Sequence, residues 1–207
     1  LQQDAHRRFG YSAKQIMMLA QQLYEGMKLG KKGTHGLITY MRTDSFNLSD
    51  DFKKETEGYI TDKLGKEYVV AGGRHFKKKS KLAQEAHEAI RPTDVTNDPE
   101  FVKEYLDAKQ FKIYSLIWQR AVASQMTEAI TETTSVAIEA KDTNWMLKAV
   151  GTVTKFAGWK AVYHNNGDEN ELPAVATGDK LDLKKLEALE HFTVPPARYS
   201  EAGLVKA

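Results

Sequence analysis

Residues 111–140 read FKIYSLIWQRAVASQMTEAITETTSVAIEA, and the pattern changes part-way along this stretch. Phe111, Tyr114, Ile117, Trp118, Ala121, Val122 and Gln125 recur at the three- and four-residue intervals of an amphipathic helix running to about Met126. From Thr133 to Ala140 β-branched residues take over, the pattern of a strand. The reading is an α+β chain, helical over residues 1–128 and β-rich over 129–207. Charge divides at the same place. Residues 1–128 hold 21 Lys and Arg against 17 Asp and Glu, whereas residues 129–207 hold 9 against 11.

Toward the N-terminus, residues 2–9 suit a short helix stopped by Gly10, which can take the left-handed conformation after a helix end. Ser12 and Gln15 have capping-box spacing, with Tyr11 and Ile16 placed as a hydrophobic staple for a helix over 12–27. Ile16, Leu19, Ala20, Leu23, Tyr24 and Met27 give that helix one apolar face. Lys28 to Gly36 holds three Gly and three Lys and reads as a flexible basic loop. Residues 36–41 (GLITYM) predict a short strand ending in the polar turn Arg42-Thr43-Asp44-Ser45. Ser49 caps a further helix that buries Phe52, Tyr59, Ile60 and Leu64 and stops at Gly65.

A basic run, residues 74–81 (RHFKKKSK), leads into a predicted helix near 81–90 that breaks at Arg91-Pro92. Asp98-Pro99-Glu100 starts the next helical stretch, with an interruption near 107–109. Beyond the change of period, residues 145–154, 159–163 and 181–192 also predict strands, and Ser200 starts a last helix. Leu1 is not an initiator Met and no signal peptide precedes it, so the expectation is a piece of a larger protein.

Several function classes fall away. There is no Cys, hence no disulfide, thiolate nucleophile or cysteine-based zinc site. No apolar run approaches the ~20 residues of a membrane-spanning helix. No Gly-rich phosphate loop or GxSxG elbow occurs, and no spacing of the six His gathers three metal ligands.

Three clusters remain. Tyr40 and Arg42 are two apart, so on a strand they point the same way. A tyrosine beside a guanidinium can act as a nucleophile, because Arg stabilises the phenolate and clamps phosphate oxygens. The same residues also suit a strand tyrosine packed in a core with Arg42 in solvent. His87 and Arg91, four apart, share a helix face if the turn extends that far, and could hydrogen-bond a phosphodiester. They equally describe an exposed helix end complementing its dipole. Residues 114–120 (YSLIWQR) read as a core helix with an exposed Arg120.

Taken together, the residues resemble the central part of a type IA DNA topoisomerase. The similarity runs in order through LQQDA (1–5), SAKQIMMLAQQLYEG (12–26), GLITYMRTDS (36–45), HEAIRPTD (87–94), YSLIWQRAVASQM (114–126) and PPARYSEAGLVKA (195–207). YMRTDS and HEAIRPT are the specific strings.

The resemblance implies that Tyr40 is the nucleophile that attacks single-stranded DNA, forming a 5′-phosphotyrosine link. It implies that Arg42 steadies the attacked phosphate and that His87 contacts the backbone nearby. Arg91 would shape the same surface, Thr43, Asp44 and Ser45 would hold the tyrosine turn, and Lys77, Lys78 and Lys79 are candidate DNA contacts. Residues 1–128 would form a helical, winged-helix-like (CAP-like) gate domain, and residues 129–207 part of a β-rich toroid arch. The family's acidic Mg²⁺-binding cluster and N-terminal catalytic lysine are not found in this sequence. The implied Mg²⁺ would therefore be held by an upstream acidic domain, with no metal ligands here. The implied partners are single-stranded DNA, that acidic domain and the rest of the arch, with no membrane, in a cytoplasmic, nucleoid-associated setting. A second reading is a non-catalytic single-stranded DNA-binding or gate module that keeps only the scaffold.

Overall fold

Gly10 ends the first helix as its sequence predicts: α1 (Gln2–Phe9) stops where Gly10 turns left-handed at φ 69°. Ser12 then caps α2 (Ala13–Glu25), its Oγ accepting from the Gln15 N–H at 3.2 Å. The computed structural model describes residues 1–76, 87–163 and 169–204. Helix α3 (Asp50–Lys63) is capped by Ser49 and carries Asp50 and Asp51 at its positive end. A four-residue α4 (Pro99–Val102) is capped by Asp98. A full capping box of Asp107 and Gln110 then starts α5 (Ala108–Ser124). The expected interruption is present: residues 103–107 leave the helical path and Asp107 supplies a fresh start.

The core lies between α2 and α5. Ile16, Leu19 and Leu23 of α2 are buried with Ile113, Ile117 and Val122 of α5, and each such side chain contributes roughly 1.5–3 kcal/mol. Two polar groups entering this core are paired: Trp118 Nε1 donates to the Val95 carbonyl at 2.9 Å, and the Tyr114 hydroxyl donates to that of Asn97. Buried Gln125 accepts from the Arg74 N–H at 2.8 Å, anchoring the root of the basic run to the end of α5.

Residues 27–35 fold into a small hairpin of β1 (Met27–Lys28) and β2 (Thr34–His35) rather than an irregular loop. The long antiparallel hairpin of β3 (Ile130–Glu139) and β4 (Met146–Phe156) begins just after the predicted change of period.

Four expectations are corrected. Residues 36–41 form no strand. Ile38 makes only an isolated antiparallel bridge to Pro92, because the Leu37 N–H donates to the Leu23 carbonyl and the Arg91 N–H to Thr39 Oγ1, so no ladder extends on either side. Residues 87–90 are not helical, so His87 and Arg91 share no helix face. The backbone of Ala89 is used sideways: its N–H donates to the Asn47 carbonyl and its carbonyl accepts from Thr39 Oγ1. The predicted residues 81–86 lie outside the described residues. Residues 158–161 form a 3-10 turn in place of a strand, because Gly158 at φ 49° packs onto the Glu128 backbone, where any side chain would collide. Residues 181–192 form no strand, with Leu183 74% and Leu186 81% exposed. Their apolar spacing is that of a strand, but among the described residues they pair with no strand.

Two later segments return to the helical part. Helix α6 (Glu201–Leu204) buries Ala202 against α1, and the Glu201 carboxylate accepts from the Ala13 N–H. Tyr163 donates its hydroxyl to Asp4, which also accepts from Arg7 at 2.7 Å, Arg8 at 3.1 Å and Arg120 at 3.3 Å. Burial pushes the Asp4 carboxyl upward, but hydrogen bonds from Tyr163, Arg7 and Arg8 outweigh it and hold the pKa at about 2. The folded value is below the ordinary 3.8, so the ionised carboxylate stabilises the fold above that range and its contribution is lost as pH falls toward 2. Discounted for solvent screening, Asp4→Asn is expected to cost about 1–2 kcal/mol at neutral pH. Chemical denaturation should show that difference in full above about pH 5 and shrinking through the acid range. A difference unchanged down to pH 2 would contradict the assignment.

Candidate active site around Tyr40

The bridge at Ile38 is short, but it is reinforced on both sides. Thr39 N–H donates to the Arg91 carbonyl at 2.9 Å, and Thr93 N–H donates to the Leu37 carbonyl at 3.0 Å. Thr39 Oγ1 donates to the Ala89 carbonyl at 2.7 Å and accepts from the Arg91 N–H at 3.0 Å. Thr93 Oγ1 donates to the Gly36 carbonyl at 2.7 Å. Two threonine hydroxyls thus add to the backbone pairing on both sides of the bridge.

This stitching brings together residues far apart in sequence. The rings of Tyr40 and His87 lie 5.3 Å apart, tilted by 35°. On another side of Tyr40 is Tyr24, from the last turn of α2, at 5.4 Å and 65°, an edge-to-face arrangement. Tyr40 is half-buried and His87 exposed. Among the described residues the Tyr40 hydroxyl makes no hydrogen bond. Other tyrosines differ. Burial, then the nearby Asp98, push the Tyr59 phenol up, and burial, then Asp94 and Asp98, push up that of Tyr114. Tyr59 donates to Asp98 at 3.1 Å and Tyr114 to a backbone carbonyl, so both stay protonated and occupied.

The two arginines of the specific strings are placed in opposite ways. Arg42 is exposed and, among the described residues, has no hydrogen bond or ion pair. Arg91 faces inward with its side chain 13% exposed. It donates to Glu88 at 2.6 Å, to the Pro92 carbonyl at 2.9 Å and to Ser49 Oγ at 3.3 Å, and its guanidinium lies 4.6 Å over the Phe52 ring. No strand forms at Tyr40 and Arg42: the chain bends at Met41 and Arg42, with Met41 buried between half-buried Tyr40 and exposed Arg42. After the bend, Ser45 N–H donates to Thr43 Oγ1 at 3.0 Å and Asn47 N–H to Ser45 Oγ at 3.1 Å. These side chains hold the turn locally. Asp44 is exposed. Lys77, Lys78 and Lys79 lie outside the described residues.

The sequence reading missed the place of Tyr24 beside Tyr40. Tyr24 falls on the apolar stripe of α2 and was read with the core, yet it is 40% exposed. Its position one residue from the helix end, where the core face runs out, was the available signal.

A protein-family model described as DNA topoisomerase matches residues 1–207. Among solved structures, full-length topoisomerase I from Thermotoga maritima in a monoclinic crystal form is similar, with a TM-score of 0.69 and 39% sequence identity. That match covers 84% of this chain and 27% of the Thermotoga chain, so this chain spans little more than a quarter of that protein's length. With the family matched over its whole length and the fold matched at that identity, the chain belongs to the type IA DNA topoisomerases.

Proposed function

We propose that this chain supplies the nucleophile of an ATP-independent topoisomerase that cleaves and rejoins one DNA strand to relax negative supercoils. The observation that carries the reading is Tyr40: a half-exposed phenol with an uncommitted hydroxyl, its ring against His87 and an uncommitted Arg42 two residues on.

In the cleavage step the Tyr40 oxygen bonds to a backbone phosphorus of single-stranded DNA and the P–O3′ bond breaks. The phenolic proton ends on the departing O3′, leaving a 3′-hydroxyl and a 5′-phosphotyrosine. Arg42, free to fork onto two phosphate oxygens, stabilises the charge gathered on the phosphorane. His87 contacts the backbone beside the attacked phosphate. The phosphotyrosine conserves the phosphoester, so the 3′-hydroxyl can reverse the step without ATP. We assign Arg91 to holding segment 87–93 in place, and Thr43, Asp44 and Ser45 to holding the tyrosine turn. Lys77, Lys78 and Lys79 would add phosphate contacts.

Among the described residues no group of three or more His, Asp or Glu could hold a metal ion. We place the Mg²⁺ ligands on an acidic domain of the same enzyme outside this chain, and read 1–128 as the gate domain and 129–207 as part of the arch. Among the described residues no helix is long and apolar enough to cross a membrane.

Covalent trapping tests this. End-labelled single-stranded DNA is mixed with the chain and Mg²⁺, with and without the acidic domain, and quenched in detergent. An adduct is expected only with both parts and not with Tyr40→Phe. An adduct with the chain alone would contradict the placement of the metal half. Retained DNA binding with no adduct in any mixture would favour a non-catalytic binding module.

The arginines give a second expectation. Arg42→Ala should slow adduct formation about 100-fold while leaving the melting temperature nearly unchanged. Arg91→Ala should destabilise the fold by about 1–3 kcal/mol, as its partners are left unpaired. The reverse pattern in thermal melts and single-turnover assays would exchange their roles.

A further inference from the structure

Attack by Tyr40 requires that its ring be held still. Its hydroxyl has no hydrogen bond among the described residues, so direction must come from the walls around the ring. Two such walls are visible, His87 at 5.3 Å and Tyr24 at 5.4 Å. His87 is exposed, and the segment that carries it follows residues outside the described ones. Tyr24 belongs to the last turn of a thirteen-residue helix whose other face is core.

The backbone around Tyr24 is set unusually close to the Tyr40 segment. Leu37 N–H donates to the Leu23 carbonyl at 2.7 Å. The Tyr24 carbonyl oxygen would lie only 2.6 Å from a Cβ at Gly36, a separation that excludes any side chain there. Glycine at position 36 therefore lets the end of α2 press directly against the chain that leads to Tyr40. Both rings are thus fixed at their roots to one rigid frame, and their edge-to-face contact restricts the torsions of the Tyr40 side chain.

We infer that Tyr24 is a positioning residue for Tyr40: its ring, not its hydroxyl, holds the phenol in the orientation from which it attacks phosphorus. The inference rests on the reading of Tyr40 as nucleophile. In-line attack depends on the fraction of molecules whose reacting atoms are aligned, and a displacement of about 1 Å can cost about 100-fold in rate. Tyr24 touches no reacting atom in this account, so its loss should lower the rate of adduct formation at saturating DNA without weakening DNA binding.

The test has two arms. In the first, the 207-residue chain carries ¹³C-labelled tyrosine, and the Tyr40 ring signals are assigned by their loss in Tyr40→Phe. Tyr24→Ala should shift or broaden those signals, and Tyr24→Phe should keep them narrow. Unchanged Tyr40 signals in Tyr24→Ala would overturn the inference whatever the chain does to DNA. In the second arm, the full-length enzyme carrying this chain is assayed in single turnover on single-stranded DNA. Tyr24→Ala should form adduct at least ~10-fold more slowly with DNA affinity within about twofold of the parent, and Tyr24→Phe should restore most of the rate. A parallel loss of affinity, or a Phe variant as slow as Ala, would overturn it. An altered ring signal with no adduct from the parent enzyme would reject Tyr40 as nucleophile, and the catalytic part of the inference with it.

Discussion

The site depends on one short pairing, between residues 36–39 and 89–93. Backbone bonds of 2.9 and 3.0 Å flank the bridge at Ile38, and the hydroxyls of Thr39 and Thr93 add bonds of 2.7 Å on either side. A regular strand pair would have been longer, with the Leu37 and Arg91 N–H groups also bonded across it. Here the Leu37 N–H donates to the Leu23 carbonyl and the Arg91 N–H to Thr39 Oγ1, which closes the pairing at both ends. The consequence is chemical. Because the pairing stops at Thr39, the next residue is released from the sheet-like geometry and Tyr40 can turn its ring between Tyr24 and His87.

The helices matter because they fix both sides of this pairing. Helix α2 reaches it through the Leu23 carbonyl and the close approach at Gly36. Helix α3 reaches it through Ser49 and Phe52, both of which contact Arg91. Arg91 therefore joins the α3 N-terminus to segment 87–93, a task that uses its whole guanidinium. Arg42 sits beyond the bend with no such commitment. A division of this kind, one arginine bound into the scaffold and one left available, follows from burial and partners; residue type alone does not give it.

Much of this was legible in the sequence. Gly10, Ser12, Ser49, Asp98 and Ser200 each marked a helix boundary that the structure has, because capping is a local interaction readable over three or four residues. The change of period near residue 128 was also local, and β3 begins at Ile130. The family was legible in YMRTDS and HEAIRPT. What the sequence hid was non-local. Residues 36–41 look like a strand because Ile38, Thr39 and Tyr40 favour one, but strand length depends on where the neighbouring N–H groups go, and those of Leu37 and Arg91 go elsewhere. Residues 87–90 were read as helix from their neighbours, whereas Thr39 and Asn47 take the backbone groups of Ala89. Residues 181–192 have strand spacing but pair with no strand among the described residues. The separate roles of Arg42 and Arg91 depend on contacts across more than forty positions and leave no local trace.

The most direct measurement is of the proximity that this pairing creates. Ring-proton nuclear Overhauser effects between Tyr40 and His87 should be present in the chain and should weaken or vanish in Thr39→Val. That variant keeps the side-chain shape and removes the hydroxyl bonded to Ala89 and Arg91. Their absence in the unaltered chain, or their full survival in Thr39→Val, would contradict the account that this pairing assembles the site.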